Sequence, residues 1–345
     1  MRLKVPSMRR REFLGSMTCA GCLARFSQAA EEEVITVSGP IATGRLGSTL
    51  IHEHVMVDFI GADRVSKDRY DADEVFGVAL PYLKRIRGLG CRALVECTPA
   101  YLGRDVRLLR RLADASGIHI VTNTGYYGAV GGKYVPQHAL EESAERLAER
   151  WTEEFKKGID GTGIRPGIIK IGVNKGPLSQ TDAKLARAAA LTHRATGLTI
   201  ASHTGDGPAA REQLEILAAA GVAPDAFIWV HAQNETRDDV HAAEAGCGAW
   251  LEFEGVAEKT LESRVQQVAE LIRKGLLHRI LISLDAGWYH VGEPGGGSFR
   301  GFDFFYTSFV PALRRAGVTD AQIRRLTVTN PGEALKIRKR LATPA

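Results

Sequence analysis

Residues 49–57 are Thr-Leu-Ile-His-Glu-His-Val-Met-Val, an apolar run that predicts a buried β-strand. Side chains alternate between the two faces of a strand, so His52 and His54 point to one face and Glu53 to the other. Two imidazoles about 6.5 Å apart on one face can bind one metal ion. A lone His-x-His pair is a weak indication, because many histidines simply fill a core, so its meaning depends on the rest of the chain.

Seven further apolar runs follow the first, and helical patterns separate them. Strands that alternate with helices of this length indicate βαβ units around a parallel sheet. Eight such units in about 300 residues fit a single-domain (β/α)8 TIM barrel. An open doubly wound sheet is the alternative, but no Gly-x-Gly-x-x-Gly fingerprint follows the first strand. The predicted strands are 49–57, 92–97, 118–123, 167–171, 198–202, 226–231, 249–253 and 279–284, and the predicted helices are 73–87, 104–115, 140–157, 180–196, 209–220, 236–245, 261–274, 321–327 and 331–340.

The N-terminal segment has the features of an export leader. Arg10-Arg11-x-Phe13-Leu14 resembles the twin-arginine signal, and a weakly apolar stretch and small residues follow it. We therefore expect residues 1–29 to be a twin-arginine-type signal peptide cleaved near Ala29, residues 30–345 to form the barrel, and the product to be periplasmic or secreted. Lipid anchoring at Cys22 and a basic, disordered N terminus are the alternatives.

Charge and cysteine content exclude several classes of protein. Residues 1–29 hold six basic side chains and one acidic side chain, which leaves 39 of each in the remainder. The balanced remainder gives no electrostatic reason to expect nucleic-acid binding. No apolar stretch reaches the roughly 18 residues of a membrane-spanning helix. Cys91, Cys97 and Cys247 are an odd number, which argues against disulfides, and we expect all three to be small buried residues.

Metal-competent side chains recur where the predicted strands end. His203 ends the fifth strand, His231 the sixth and Asp285 the eighth. Taken singly, a histidine at such a position more often fills the core with its hydrogen bonds satisfied, and an aspartate more often caps a helix, than either binds a metal. Because catalytic groups of a TIM barrel stand at the C-terminal ends of its strands, their coincidence with the His52/His54 pair favours a shared metal centre.

Lys170 lies in the middle of the fourth predicted strand. A protonated lysine has no lone pair for a metal and is costly to bury. It either reaches solvent at the strand end or is deprotonated and altered, for example to a carbamate by carbon dioxide, which supplies two oxygen ligands.

These six residues, in this order and at these strand positions, resemble the phosphotriesterase family of the amidohydrolase superfamily, which includes phosphotriesterase-like lactonases. The similarity runs from about residue 36 to the C terminus. It implies two divalent ions, usually zinc, that share a bridging hydroxide. It further implies that Asp285 takes the proton of this hydroxide and that one ion polarises the substrate. By the resemblance, the buried ion is held by His52, His54 and Asp285, the exposed ion by His203 and His231, and both by carboxylated Lys170.

Substrate contacts are expected in the loops that follow the strands. In lactone-hydrolysing relatives a tyrosine near the position of Tyr126 and Tyr127 faces the metals. One of these two tyrosines is therefore a candidate substrate contact. The alternative is that they only pack the loop. Glu252 and Glu254 share one face of the seventh strand. Facing inward, they would favour a polyol or cationic substrate; facing outward, they would be solvated or lie against helices.

The segment 287–301, which follows Asp285, combines aromatic residues with a glycine run. This composition favours a mobile lid over the site that brings Trp288, His290 and Arg300 to the substrate. The alternative is that the segment is a passive surface connection. At Asn234 many relatives carry an aspartate that relays protons, and an amide cannot do so.

The sequence thus predicts a zinc-dependent hydrolase for small lactones or carboxylic esters. Phosphotriesters and amides are the alternative substrates, and a non-catalytic binding barrel is the alternative of another class. The resemblance also suggests a homodimer, which no feature of the sequence tests.

Overall fold

Strands and helices alternate through residues 32–342, which the computed structural model describes, in the order that the sequence predicts. The strands are β1 (Glu33–Thr36), β2 (Gly39–Ala42), β3 (Thr49–Val57), β4 (Ala93–Glu96), β5 (His119–Val121), β6 (Asn123–Thr124), β7 (Ile168–Val173), β8 (Thr199–Thr204), β9 (Phe227–Val230), β10 (Trp250–Phe253), β11 (Ile280–Ile282) and β12 (Gly287–His290). The helices are α1 (Ala72–Gly88), α2 (Val106–Ser116), α3 (Gln137–Glu141), α4 (Ala144–Lys157), α5 (Gln180–Thr196), α6 (Gly207–Ala219), α7 (Asp238–Cys247), α8 (Leu261–Arg273), α9 (Val310–Arg315), α10 (Asp320–Arg324) and α11 (Asn330–Leu335).

Two parallel sheets make up the barrel wall, with strand orders β11-β10-β9-β8-β7-β6 and β12-β3-β4-β5. Thr122 alone separates β5 from β6, so these segments carry the wall from one sheet into the other. At the second junction the N–H of Asp285 donates to the carbonyl of His52 (3.2 Å), and the N–H of His54 donates to the carbonyl of Ala286 (2.9 Å). The predicted (β/α)8 barrel is confirmed.

Alternation along the strands decides which side chains enter the barrel. In β7, Ile168 packs in the interior cluster, whereas Ile169 and Ile171 pack between the strands and the helices. The period of two therefore places Lys170 on the interior face. In β3 the pairing with β4 is irregular between Leu50 and Glu53, and His52 and His54 both reach the interior cavity.

The N-terminal end of the barrel is closed by the β1–β2 hairpin and the C-terminal segment. The N–H of Ile337 donates to the carbonyl of Glu33 (2.8 Å). Buried Arg340 donates to Thr199 Oγ1 (3.0 Å) and to the carbonyl of Glu333 (2.8 Å). The opposite end, where the strands finish, is left for the site.

Two local expectations were wrong. Helix 331–340 ends at Leu335, because the chain turns extended at Lys336 and Arg340 bonds the last helical carbonyls. Cys247 is exposed rather than buried, because it ends α7 on the solvent side. Segment 287–301 begins with β12, and its Gly287 at φ +96° passes so close to His54 that a Cβ would lie 1.7 Å from the His54 carbonyl oxygen.

The predicted export leader lies outside the described residues. Within residues 32–342, no helix combines the length and apolar character needed to cross a bilayer.

Candidate metal centre

The six predicted metal-binding side chains line one cavity of about 140 Å³ at the C-terminal end of the barrel. Five different strands or the turns just after them bring these side chains together, although more than two hundred residues separate the first from the last. The strands that supply them are β3 (His52 and His54), β7 (Lys170), β8 (His203), β9 (His231) and β11 (Asp285).

Short distances join the donor atoms at the base of the cavity. His52 Nε2 lies 3.3 Å from His54 Nε2, and His54 Nε2 lies 3.2 Å from Asp285 Oδ1. The rings of His203 and His231 are 4.4 Å apart, centroid to centroid, and the ring of His231 is 5.7 Å from that of His52. Two donor groups, one on each side of Asp285, therefore face a common space.

The second ring nitrogens of these histidines have partners of their own. His52 Nδ1 lies 2.9 Å from Glu252 Oε1, and His54 Nδ1 lies 2.8 Å from Thr98 Oγ1. A hydrogen bond at Nδ1 fixes the ring and leaves Nε2 free for a metal. Thr98 was missed from the sequence, although it stands two residues beyond β4 and the strand-end rule could have found it.

Glu252 and Glu254 face inward, but both are buried beneath the histidines and neither lines the cavity. Glu254 Oε1 lies 2.6 Å from His52 Nδ1, and Oε2 contacts His231 Nδ1. Because the histidines cover both carboxylates, the pair gives no support for a polyol or cationic substrate.

Burial sets the protonation of the histidines. It lowers the pKa of His52, His54 and His203, so these imidazoles are neutral at pH 7 and keep a lone pair for a cation. For His231 burial also acts downward, but the Glu254 carboxylate outweighs it and raises the pKa. Burial alone would raise the pKa of Asp285, yet His54 and the other imidazoles hold that pKa below its usual value, so the carboxylate is ionised.

Lys170 is nearly fully buried on the cavity wall. Its exposed fraction is 2%, and its Nζ lies 3.5 Å from the carbonyl of Ile171 and 5.5 Å from the centre of the Tyr127 ring. No salt bridge to Lys170 exists within residues 32–342. A lone buried ammonium costs several kcal/mol, so the position favours a counter-ion or a modification that removes the charge.

The donor set fits divalent cations. Among the described residues, Asp285 Oδ1 and both carboxylate oxygens of Glu254 are buried without a hydrogen-bond partner, despite their short contacts with imidazoles. One nitrogen or oxygen each of His52, His54 and Asp285 lie within 4.8 Å of one another. Unpartnered carboxylate oxygens beside neutral imidazoles are the donors that zinc and similar ions take up.

Backbone strain concentrates at this cavity. Of six non-glycine residues with left-handed backbone in the described chain, four line it: Val130 (φ +57°), His231 (+63°), Asp285 (+55°) and Trp288 (+76°). A β-branched valine is a genuine outlier there. Such strain clusters at functional sites, which marks the cavity independently of its chemistry.

The upper cavity wall is apolar. Trp288 packs 4.5 Å from the His54 ring, and Phe59 packs 5.6 Å from Trp288. Phe59, Val130 and Tyr134 also line the wall and were missed, since they lie on irregular loops without a periodic pattern.

The structure separates the two candidate tyrosines. Tyr127 lines the cavity with its hydroxyl 3.0 Å from His203 Nδ1. Tyr126 points away, because its hydroxyl pairs with His138 Nε2 (3.1 Å) and its ring packs on Trp151.

The remaining loop candidates take different positions. His290 stacks near the mouth, 6.2 Å from the Trp288 ring. Arg300 lies outside the cavity and donates to the carbonyl of Asp285 (3.0 Å). Backbone bonds between Gly287 and Arg300 (2.8 and 2.9 Å) tie the proposed lid down at its base. Asn234 is exposed.

Known proteins resemble this chain over nearly its whole described length. The phosphotriesterase family matches residues 32–335. A phosphotriesterase homology protein of Escherichia coli K12 is 30% identical over 292 residues, 83% of this chain and 97% of that protein. An aryldialkylphosphatase of Saccharolobus solfataricus is 27% identical over 83% of this chain and 94% of that protein. A solved mutant PTE-like lactonase of Deinococcus radiodurans is 27% identical, with a TM-score of 0.78 over 88% of this chain and 99% of that one.

Fold, site and relatives together define a metal-dependent hydrolase that acts on small molecules. The chain belongs to the phosphotriesterase family.

Proposed function

We propose that this protein is a binuclear zinc hydrolase of uncharged lactones or carboxylic esters. The observation that carries the proposal is the convergence of six metal-competent side chains on one cavity with apolar upper walls.

Two ions fit the two donor groups around Asp285. His52, His54 and Asp285 would hold one, and His203 and His231 the other. Bound there, the ions would polarise the carbonyl oxygen of the substrate and lower the pKa of a water molecule so that it attacks near neutral pH.

Lys170 would join the two groups as a carbamate. The ammonium first loses a proton, and the neutral amine then forms an N–C bond to carbon dioxide and releases a second proton, which leaves a carboxylate on the amine nitrogen. The change would replace an unpaired buried cation by an anion that the two metal ions would neutralise, and would supply two oxygen donors facing the cavity.

The other side chains have separate tasks. Asp285, held ionised, is placed to accept a proton from the attacking water. The Tyr127 hydroxyl, beside His203, can donate a hydrogen bond to a substrate oxygen. Phe59 and Trp288 exclude water from the upper cavity and pack against the apolar part of the substrate.

The charge of the cavity favours a neutral substrate. Among the described residues that line it, the charged groups all belong to the proposed metal centre. A substrate with its own anion or cation would therefore bury that charge without a partner. Phosphotriesters are also neutral, and the aryldialkylphosphatase relative favours them as the second candidate.

Export of a folded, metal-loaded protein by the twin-arginine route is consistent with this proposal, because that route delivers proteins after folding. The homodimer stays a prediction.

The experiment is a metal and substrate titration of the purified protein. We expect about two equivalents of zinc, loss of activity on chelation and recovery with added Zn²⁺. In a panel of lactones, aryl esters, N-acyl amino acids and phosphotriesters, lactones or esters should give the highest kcat/KM. A protein that binds no zinc, or prefers charged N-acyl amino acids, contradicts the proposal.

A further inference from the structure

Glu53 lies between the two metal-site histidines but faces the other way. It is fully buried, and the imidazoles of His52 and His54 lie on the opposite face of β3. Its carboxylate receives three hydrogen bonds, all from the segment that carries Asp285. The donors are Ser283 Oγ (2.7 Å), Leu284 N–H (3.0 Å) and Ala286 N–H (2.7 Å).

The segment 283–286 leaves the regular strand ladder at Asp285. Its left-handed φ of +55° turns the neighbouring amides out of register with a partner strand. The amides on both sides of Asp285 therefore bind the Glu53 side chain, while the amide of Asp285 itself binds the carbonyl of His52 (3.2 Å). Three consecutive amides are thus fixed to His52 and Glu53 alone.

We propose that Glu53 is the positioning residue that holds the Asp285 carboxylate toward the metal centre. A non-glycine residue keeps a left-handed backbone only where its surroundings over-determine it. Here the Glu53 carboxyl group accepts hydrogen bonds from the amides on both sides of Asp285, and these bonds restrain the Asp285 backbone. With Asp285 held in this conformation, Oδ1 comes within 3.2 Å of His54 Nε2. The inference rests on the proposed function in that Asp285 is taken as a metal ligand.

Reach and hydrogen-bond acceptance of Glu53 are separated by two substitutions. Glu53→Gln keeps the length but turns one acceptor into an N–H₂ donor, which then faces either Ser283 and Leu284 or Ala286. Glu53→Asp keeps the carboxyl group but is one methylene too short to reach both flanking amides. Glu244→Gln is the control, because Glu244 is a buried glutamate that accepts from Arg211 Nη2 (3.1 Å) and, within the described residues, bonds neither residues 283–286 nor a metal-site histidine.

The readouts are Zn²⁺ affinity by chelator competition and the visible spectrum of the Co²⁺-loaded protein. We expect both Glu53 variants to bind the first ion 10–100-fold more weakly and to show an altered Co²⁺ spectrum. Glu244→Gln, at a comparable loss of melting temperature, should keep affinity within about threefold and keep the wild-type spectrum. Wild-type affinity and spectrum in Glu53→Gln overturn the inference. Wild-type behaviour in Glu53→Asp alone also overturns it, since the reach of the side chain would then not matter.

Backbone hydrogen exchange in the wild-type protein provides the second measurement, which holds even if the variants do not fold. The amides of Leu284 and Ala286 should exchange as slowly as those inside β7 and β8, because both are buried and bonded. Fast exchange at these two positions contradicts the inference. Wild-type protein that binds no zinc contradicts the proposed function instead, while the exchange result still decides whether Glu53 holds the segment.

Discussion

At the N-terminal end of the barrel the buried side chains that join the C-terminal segment to the wall have hydrogen-bond partners, whereas two carboxylates at the C-terminal end have buried oxygens that do not. His193 bonds the carbonyl of Leu198 (2.7 Å) and the amide of Arg340 (2.9 Å) at the closed end. At the other end the oxygens of Asp285 and Glu254 are unpartnered in the described chain, and the left-handed residues cluster. The N-terminal end of the barrel thus contributes stability. The C-terminal end keeps unpartnered polar atoms and a strained backbone, which are features of a ligand-binding site.

The largest expected effect comes from removing a carboxylate at the open end. Asp285→Ala should lower kcat/KM more than about 10³-fold, because it removes a metal donor and the proton acceptor together. Asp225→Ala is the control at the closed end, where the carboxylate lies 3.6 Å from Arg340 and one third of its side chain is exposed. Steady-state kinetics with Zn²⁺-loaded protein checks this; equal losses in both variants would show that the two ends do not differ.

The second effect is on stability at the closed end. Arg340→Met keeps the apolar stem but removes the donor of the hydrogen bonds that Thr199 Oγ1 and the carbonyls of Glu333 and Lys336 accept. We expect the free energy of unfolding to fall by about 2–4 kcal/mol, with zinc content and kcat unchanged below the melting temperature. Urea denaturation and metal analysis on the same samples measure both. Loss of zinc at native temperature would mean that the ends are coupled.

A smaller effect is expected beneath the metal centre. Glu254→Gln keeps the shape but removes the negative charge that contacts His52 and His231, one from each donor group. We expect zinc affinity to fall about 10–100-fold. The pKa of His231 should fall as well, because Glu254 is what raises it. Chelator competition and NMR titration of the metal-free protein test these outcomes; an unchanged pKa of His231 would exclude the contact.

The smallest effect concerns strain at the cavity mouth. Val130→Asn places a residue that tolerates left-handed backbone where a valine is strained, so the free energy of unfolding should rise by about 1 kcal/mol. Because the Val130 side chain is 62% exposed, little buried apolar area is lost. KM for apolar esters should rise a few-fold. Lower stability, measured by urea denaturation, would count against strain at this position.

The barrel and the convergence of its candidate metal-binding side chains were predictable because each depends on a pattern that one chain can display. Apolar runs at regular spacing marked the strands, and polar residues at the strand ends marked His203, His231 and Asp285. Strand periodicity also placed Glu252 and Glu254 on one face. It could not show that His52 and His231 would cover them, since that depends on side chains distant in sequence.

The loops escaped prediction for a different reason. Phe59, Val130 and Tyr134 meet at the cavity through irregular backbone, for which no period exists. The bonds from Glu53 to residues 284 and 286 follow from the φ of Asp285, and a positive φ at an aspartate leaves no mark in the sequence. Tyr126 and Tyr127 are adjacent and identical, yet only Tyr127 reaches the cavity, and no sequence pattern distinguishes the two.

The indole of Trp288 lies 4.5 Å from the ring of His54, whereas the other tryptophans, at 151, 229 and 250, do not line the cavity. Its fluorescence is therefore a built-in optical signal for occupancy of the neighbouring histidine. A paramagnetic ion such as Co²⁺ would quench that emission on arrival, so cation uptake could be followed in real time without any label.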